Sequence, residues 1–454
     1  MLADFFRTVT VIERDELPDD PVNRRGVPQG RHVHALLAGG AQILEKFFPG
    51  FLDELVAAGA PLWDDGELSK MYVSFSGHEL PRSGTIAGDH KALAIRVPSR
   101  PLLECHLRRR VQAMENVTIR GGYDVAELTA AADRSRITGV GIVDRARGTQ
   151  QELAADLVVD AMGRGAHTPA LLENLGYGRP VEDHIVMHTT YVSQPLRIPP
   201  GTLKEMVSLI SPAPGRPTGM FLNGYEHDTW IFTVFGMVGH KPPRDLAGML
   251  SFAEDYTPDH LLAAVRAGEP LGPVVEHRMP SSQWRRYDKM RRFPDGLVVC
   301  GDAMCSFNPI YGQGMAVAAL EAVALRDSLR RGVTALPRRY FRAAAKTINV
   351  AWQIGATDDL SIPEVEGRRT LSMRVTSRIV DLVLAACESD AVVATQFFKV
   401  AWLLDSPIRL LRPAFLYRVA IVNLGRRQRY WRSRRDAVQR NRLKIHENAT
   451  CTLS

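Results

Sequence analysis

Residues 297–322 read LVVCGDAMCSFNPIYGQGMAVAALEA. The β-branched, apolar run Leu297–Gly301 reads as a short buried strand. Asp302 follows at its carboxyl end, where ligands bind in open α/β sheets. Pro309 and the turn Gly312, Gln313, Gly314 then open an Ala-rich helix over residues 315–331. Such a helix start aims backbone amides and the positive end of its dipole at an electron-rich group.

Upstream, Thr8–Glu13 is a β-branched run ending in an acid. An Arg- and Gly-rich loop, residues 24–40 (RRGVPQGRHVHALLAGG), leads into a helical pattern over residues 41–59. Residues 92–97 read as a strand. Ser99 opens a helix with apolar residues at three-to-four spacing. Val117–Arg120, Ile137–Val143 and Leu157–Asp160 read as further strands. Residues 184–240 alternate in the manner of an antiparallel sheet, and from about residue 336 the pattern is helical. The predicted fold is α/β: a doubly wound, Rossmann-like nucleotide domain, discontinuous in sequence, with an antiparallel insert and a helical C-terminal region. The expected divisions are 1–180 and 289–335 for the nucleotide domain and 181–288 for the insert. Residues 336–424 form the helical region and 425–454 a basic tail.

The motif GDAxxxxxPxxGQGxxxAxxEA resembles the second FAD-binding motif of the group A flavoprotein monooxygenases, the aromatic-hydroxylase-like and squalene- and polyketide-epoxidase-like enzymes. The resemblance implies that Gly301 and Asp302 bind the ribityl or ribose hydroxyls of FAD. It places Pro309, Gly312, Gln313, Gly314 and Met315 against the isoalloxazine ring. Three other stretches agree. TVTVIERD resembles the family's second strand, with Glu13, and Arg14 beside it, at the adenosine ribose. VPSRPLLECHLRRRV resembles its Arg-bearing helix, with Arg100 near the flavin. DLVVDAMGRGAHTP resembles its middle motif, with Asp160 and Gly163; Met162 stands where the hydroxylases carry an Asp. The loop at 24–40 resembles that of flavin epoxidases, with Gln29, Arg31 and His32 approaching the cofactor.

The implied function is an FAD-dependent monooxygenase, with NAD(P)H as reductant and O2 as co-substrate. It would hydroxylate or epoxidise a lipophilic small molecule through a peroxyflavin, and no side-chain nucleophile is needed. The alternatives are an FAD-dependent reductase or cyclase of isoprenoid type, favoured by the DAMGRG variant, and an inactive truncated homologue. Tyr191, Phe221, Trp230, Phe232 and Phe235 are the candidate walls of a substrate pocket in the insert. No metal site is expected: His32 and His34 form an HxH pair without carboxylate or cysteine neighbours in the sequence.

One family feature is missing. A first strand and GxGxxG should precede Glu13 by about 20 residues, and no GxGxxG occurs near the start. MLADFFRTVTVIERD reads as the end of a first helix running into strand two. The expectation is a truncated chain that holds FAD weakly or is insoluble, because strand one is central in such a sheet.

The 57 basic and 50 acidic residues give a net charge of +7. Residues 425–444 alone hold nine basic residues and one acidic, so the body is nearly neutral. That distribution argues against a nucleic-acid binder. The apolar segment 392–424 is broken by Asp405, Pro407 and Pro413 and cannot span a bilayer as one helix. Three readings stand for Trp402, Leu403, Leu404, Leu410, Leu411, Phe415, Leu416 and Tyr417: a cap on the substrate pocket, a dip into a membrane interface, or helices packed on the nucleotide domain. With the basic tail, the second would make residues 392–444 a peripheral membrane contact. Five scattered cysteines without a CxxC pair fit a reducing, cytoplasmic setting.

Overall fold

A computed structural model describes residues 1–426. The basic segment singled out in the sequence lies, from residue 427 onward, outside the described residues.

The parallel part of the fold is built from two separate strand pairs. Val9–Ile12 pairs with Val117–Arg120, and Val158–Asp160 pairs with Leu297–Val299. Among the described residues no strand joins the two pairs into the single doubly wound sheet expected from the sequence. Val298 and Val299 are fully buried, whereas Val11 on the first pair is 39% exposed. The difference follows from the packing. The second pair lies under the helices Gly314–Leu329 and Leu336–Asp359. The first is bordered by the short turn Leu2–Asp4, the helix Arg100–Gln112 and the strand Tyr123–Ala130.

The helix at Ser99 starts as its sequence predicts: the Ser99 hydroxyl accepts the Leu102 amide, the usual satisfaction of an orphan helix-start donor. The pattern over residues 41–59 is two helices rather than one, Ala38–Phe47 and Phe51–Ala57. Pro49 and a left-handed Gly50 (φ 79°) break it. Residues 92–97 contribute only a two-residue strand, Ile95–Arg96, after a 3-10 turn. A three-stranded meander, Tyr123–Ala130, Ile137–Asp144 and Gln150–Ala154, was recognisable in the sequence only by its middle strand.

The insert is an extended sheet around Glu182–Arg197, flanked by Val275–Arg285 and Thr229–Gly236. It continues through Thr218–Gly224 and Val207–Ile210 to Met71–Phe75, which pairs in parallel. At the other edge it takes in Cys305–Ser306. The sheet therefore draws strands from both flanking segments. One face packs on the helices Leu246–Ala253 and Asp259–Ala267 through Val192, Met220, Phe232 and Val234. The other face holds Tyr191, Phe221 and Phe235 in the main core.

That division corrects the expected pocket wall. Strand side chains alternate between faces, so Trp230 and Phe232 cannot share a face with Phe235. Phe232 is fully buried against the helices and Trp230 packs on the same cluster. The aromatic run TWIFTVFG fills two cores rather than lining one pocket.

Candidate active site

A cavity of about 1220 Å³ lies between the glycine-opened helix, the inner face of the sheet and the C-terminal helices. Of the residues singled out in the sequence, Gln29, Arg100, Gly163, Asp302, Pro309 and the run Gly312–Met315 line it, as does Phe221. Glu13, Arg14, Arg31, His32, Asp160, Gly301, Tyr191 and Phe235 do not. Tyr191 and Phe235 form the layer behind Phe221, with ring centroids 5.4 and 5.5 Å apart along the stack.

Asp302 follows the buried strand Leu297–Val299, in the turn Gly301–Ala303. It is open to the cavity, yet protein surrounds it closely. Lost solvation raises its pKa, while the positive charges of Arg100 and Arg164 lower it. Among the described residues no hydrogen bond reaches its carboxylate. The turn is held from behind. Glu321, 1% exposed on the helix Gly314–Leu329, accepts the Gly301 amide at 2.6 Å through Oε2. Among the described residues its Oε1 has no partner. Burial pushes the Glu321 pKa up to about 8, with Asp302 adding to the rise.

Gly312 adopts φ 63°, the left-handed region that glycine enters without strain. The helix then begins at Gly314 without a side-chain cap. A Cβ at Gly314 would meet nothing within 4 Å, so the helix start borders open cavity. Gln313 lines the cavity, but its side-chain amide donates to the Ala401 carbonyl at 2.9 Å. It ties the loop to the helix Ala391–Ala401.

Arg100 is pressed into the wall with its Nε unpartnered. Burial lowers its pKa, and Glu104 and Asp302 oppose that. Arg164, inside the DAMGRG motif but not singled out there, donates to the Ser281 carbonyl at 2.7 Å and to the Ser306 hydroxyl at 2.9 Å. Its guanidinium lines the same cavity, as does the His277 ring. His32 stands behind, 5.6 Å ring to ring from His277 and bonded to the Ser193 hydroxyl at 2.7 Å. Burial holds His32 down to about 4 and His34 to about 3, so both imidazoles are neutral at physiological pH. Asp160 is spent on structure, accepting the Met162 amide and the Thr168 hydroxyl. Glu13 accepts the Asp15 amide and pairs with Arg24 at 3.2 Å.

The donor set fits one half of FAD. The carboxylate of Asp302, the orphaned Arg100 Nε and the uncapped amides at Gly314 suit ribityl hydroxyls and the polar edge of a flavin ring. For the diphosphate half, no GxGxxG occurs near the start of the sequence, and among the described residues no strand joins the two parallel pairs. The far wall is apolar, with Trp402, Leu410 and Leu411 of the C-terminal apolar run among its residues. It also includes Val73, Leu209, Val380, Leu384 and Phe397. The helices Leu371–Cys387 and Ala391–Ala401 supply much of it.

No family model matches the chain. The structure resembles PqsL, a probable FAD-dependent monooxygenase from Pseudomonas aeruginosa, with a TM-score of 0.56 at 15% identity, covering 78% of this chain and 90% of that one. It also resembles p-nitrophenol 4-monooxygenase PnpA from Pseudomonas putida, with a TM-score of 0.59 at 13% identity, covering 88% and 93%. These likenesses establish the fold. Protein Rv3254 of Mycobacterium tuberculosis is 38% identical over 451 residues, spanning 97% of this chain and 94% of that protein. With that identity along nearly its whole length, the chain belongs to the same family as Protein Rv3254, on the fold of the FAD-dependent monooxygenases.

Proposed function

We propose that the chain is an FAD-dependent monooxygenase that hydroxylates or epoxidises a lipophilic small molecule. The observation that carries this reading is the continuity of one cavity. Asp302 and the glycine-opened helix lie on one side, and much of the rest is walled by apolar side chains. A substrate in the apolar part would sit against whatever the glycine loop holds.

Bound FAD would supply the redox chemistry, taking reducing equivalents from NAD(P)H and activating O2. The chain's own residues do the rest. Asp302 accepts hydrogen bonds from polyol hydroxyls, and Glu321 fixes the turn that presents it. The helix start at Gly314 favours negative charge at the ring edge, an oxyanion-type stabilisation. Phe221 and the C-terminal helices exclude water and hold an apolar substrate.

The test is NAD(P)H oxidation by FAD-loaded protein in the presence of lipophilic alkenes and phenols. Substrate-stimulated oxidation with matching oxygen consumption supports the reading. Stable FAD with no stimulation by any compound, or product formed without oxygen, would replace it with a reductase or cyclase.

A further inference from the structure

We propose that Asp358 and Asp359 form an acid subsite of the cavity that recognises a protonated amine on the substrate. The inference rests on the reading that the cavity takes a lipophilic small molecule, and adds a charged head to that molecule.

Both residues end the helix Leu336–Asp359, whose last turn holds no basic residue. A helix C-terminus carries partial negative charge and ordinarily favours cations. Two carboxylates there are therefore placed against the local field. Asp358 lines the cavity, and Asp359 is 1% exposed just behind it. Every partner they have is neutral. The Ser76 hydroxyl donates to Asp358 Oδ1 at 2.9 Å. The Tyr311 hydroxyl lies between the two, 3.1 Å from Asp358 Oδ2 and 2.7 Å from Asp359 Oδ1. Asn308 Nδ2 donates to Asp359 Oδ1 at 2.9 Å. Among the described residues, Asp359 Oδ2 has no donor.

No cation among the described residues pairs with either carboxylate. Arg369, from the following loop, caps the carbonyls of Leu360, Ile362 and Val365 instead. The groups facing the pair from other elements are Tyr311 and Asn308 on the glycine loop, Ser76, and Tyr191 of the sheet, whose hydroxyl bonds Asn308. Burial pushes Asp359 up to about 7, with Asp358 contributing, and raises Asp358 as well. A buried acid pair without a counter-charge either keeps a proton or takes a cation from a ligand.

The geometry shows how closely the subsite adjoins the loop. Gly355 lets the helix approach Tyr311: a Cβ there would lie 3.2 Å from the tyrosine ring. Tyr311 in turn immediately precedes Gly312. An amine held by Asp358 would thus be anchored beside the loop, with its apolar part along Phe75, Ile354 and Met373, which share the cavity.

The test is isothermal titration of the 454-residue protein with three matched probes: octylamine, octanol and octanoate. A charge-assisted hydrogen bond in a water-poor site predicts that octylamine binds at least about tenfold more tightly than octanol at pH 8. The preference falls at pH 6, where the pair takes up its proton. Asp358→Asn abolishes the preference for octylamine over octanol, and Asp359→Asn reduces it. Should either variant fail to fold, the pH dependence of the three probes on the parent protein decides alone. Equal binding of octylamine and octanol, or preference for octanoate, overturns the acid subsite and leaves the lipophilic cavity standing. No binding of any probe overturns both.

Discussion

Replacing Glu321 by Gln isolates one buried carboxyl that holds the Asp302 turn. In the folded protein its pKa is about 8, raised first by burial, against an ordinary value of about 4.3. Between those values the folded state binds a proton that the unfolded state has released. Stability therefore falls as pH rises, by about 1.4 kcal/mol per unit from this group alone. From pH 5.5 to 7.5 the loss is about 3 kcal/mol, and it ends once pH passes the folded pKa. An unfolding entropy of ~2.1 cal/mol/K per residue converts this to about 3 °C in the melting midpoint for a chain of this length. Glutamine can still accept the Gly301 amide but has no proton to lose. The parent and Glu321→Gln should melt together near pH 5.5, within about 1 °C, and the variant should lead by about 3 °C at pH 7.5. Midpoints from scanning calorimetry at the two pH values measure this. Parallel pH profiles for the two proteins would refute the assignment of a buried, proton-holding Glu321.

Other perturbations test the packing that shapes the cavity. Trp402 stacks on Phe398 at 4.6 Å and meets Trp63 edge-on at 6.2 Å. Trp402→Ala should cost about 3–5 kcal/mol and lower the melting midpoint by a similar number of degrees. A Cβ on Gly39 would meet the Trp402 carbonyl oxygen at 2.4 Å. Gly39→Ala should lower the midpoint by ~1–3 °C, at about 1–3 kcal/mol for overpacking, and an unchanged midpoint would contradict the close helix approach. Exposed Leu371, Val375, Ile408, Leu411 and Tyr417 surround the C-terminal region. The intact chain should float with vesicles containing anionic lipid more than a chain ending at Leu424; equal flotation would remove the basic tail from the account.

The sequence was most informative where a local motif carries its own geometry. The run from Leu297 to Gly314 revealed strand, acid, turn and helix because a buried strand and left-handed Gly312 need those residue types. Ser99 marked its helix for the same local reason. Long-range arrangement was less visible. TWIFTVFG announced a strand, but not which face met which core. Asp358 and Asp359 look in sequence like an ordinary solvated helix end. Only packing against Tyr311, 47 residues away from Asp358 in the chain, makes them an enclosed pair. The apolar cavity wall draws on a C-terminal run that the sequence left open between pocket cap, membrane contact and plain packing, because an apolar helix pattern does not say what it faces. Arg164 was in view within DAMGRG, yet its reach to Ser281 and Ser306 depends on a strand more than a hundred residues on.

The central claim is that the cavity at Asp302 and Gly312–Gly314 is a flavin site, with no diphosphate-binding glycine turn among the described residues. Titrating the purified chain with FAD, FMN and riboflavin, followed through the flavin absorption band, tests it most directly. The account predicts saturable binding of all three, with FAD and riboflavin within about tenfold of each other. Asp302→Ala should weaken each by about tenfold, the worth of a hydrogen bond to a charged group. No saturable change with any flavin, or binding indifferent to Asp302→Ala, would contradict it.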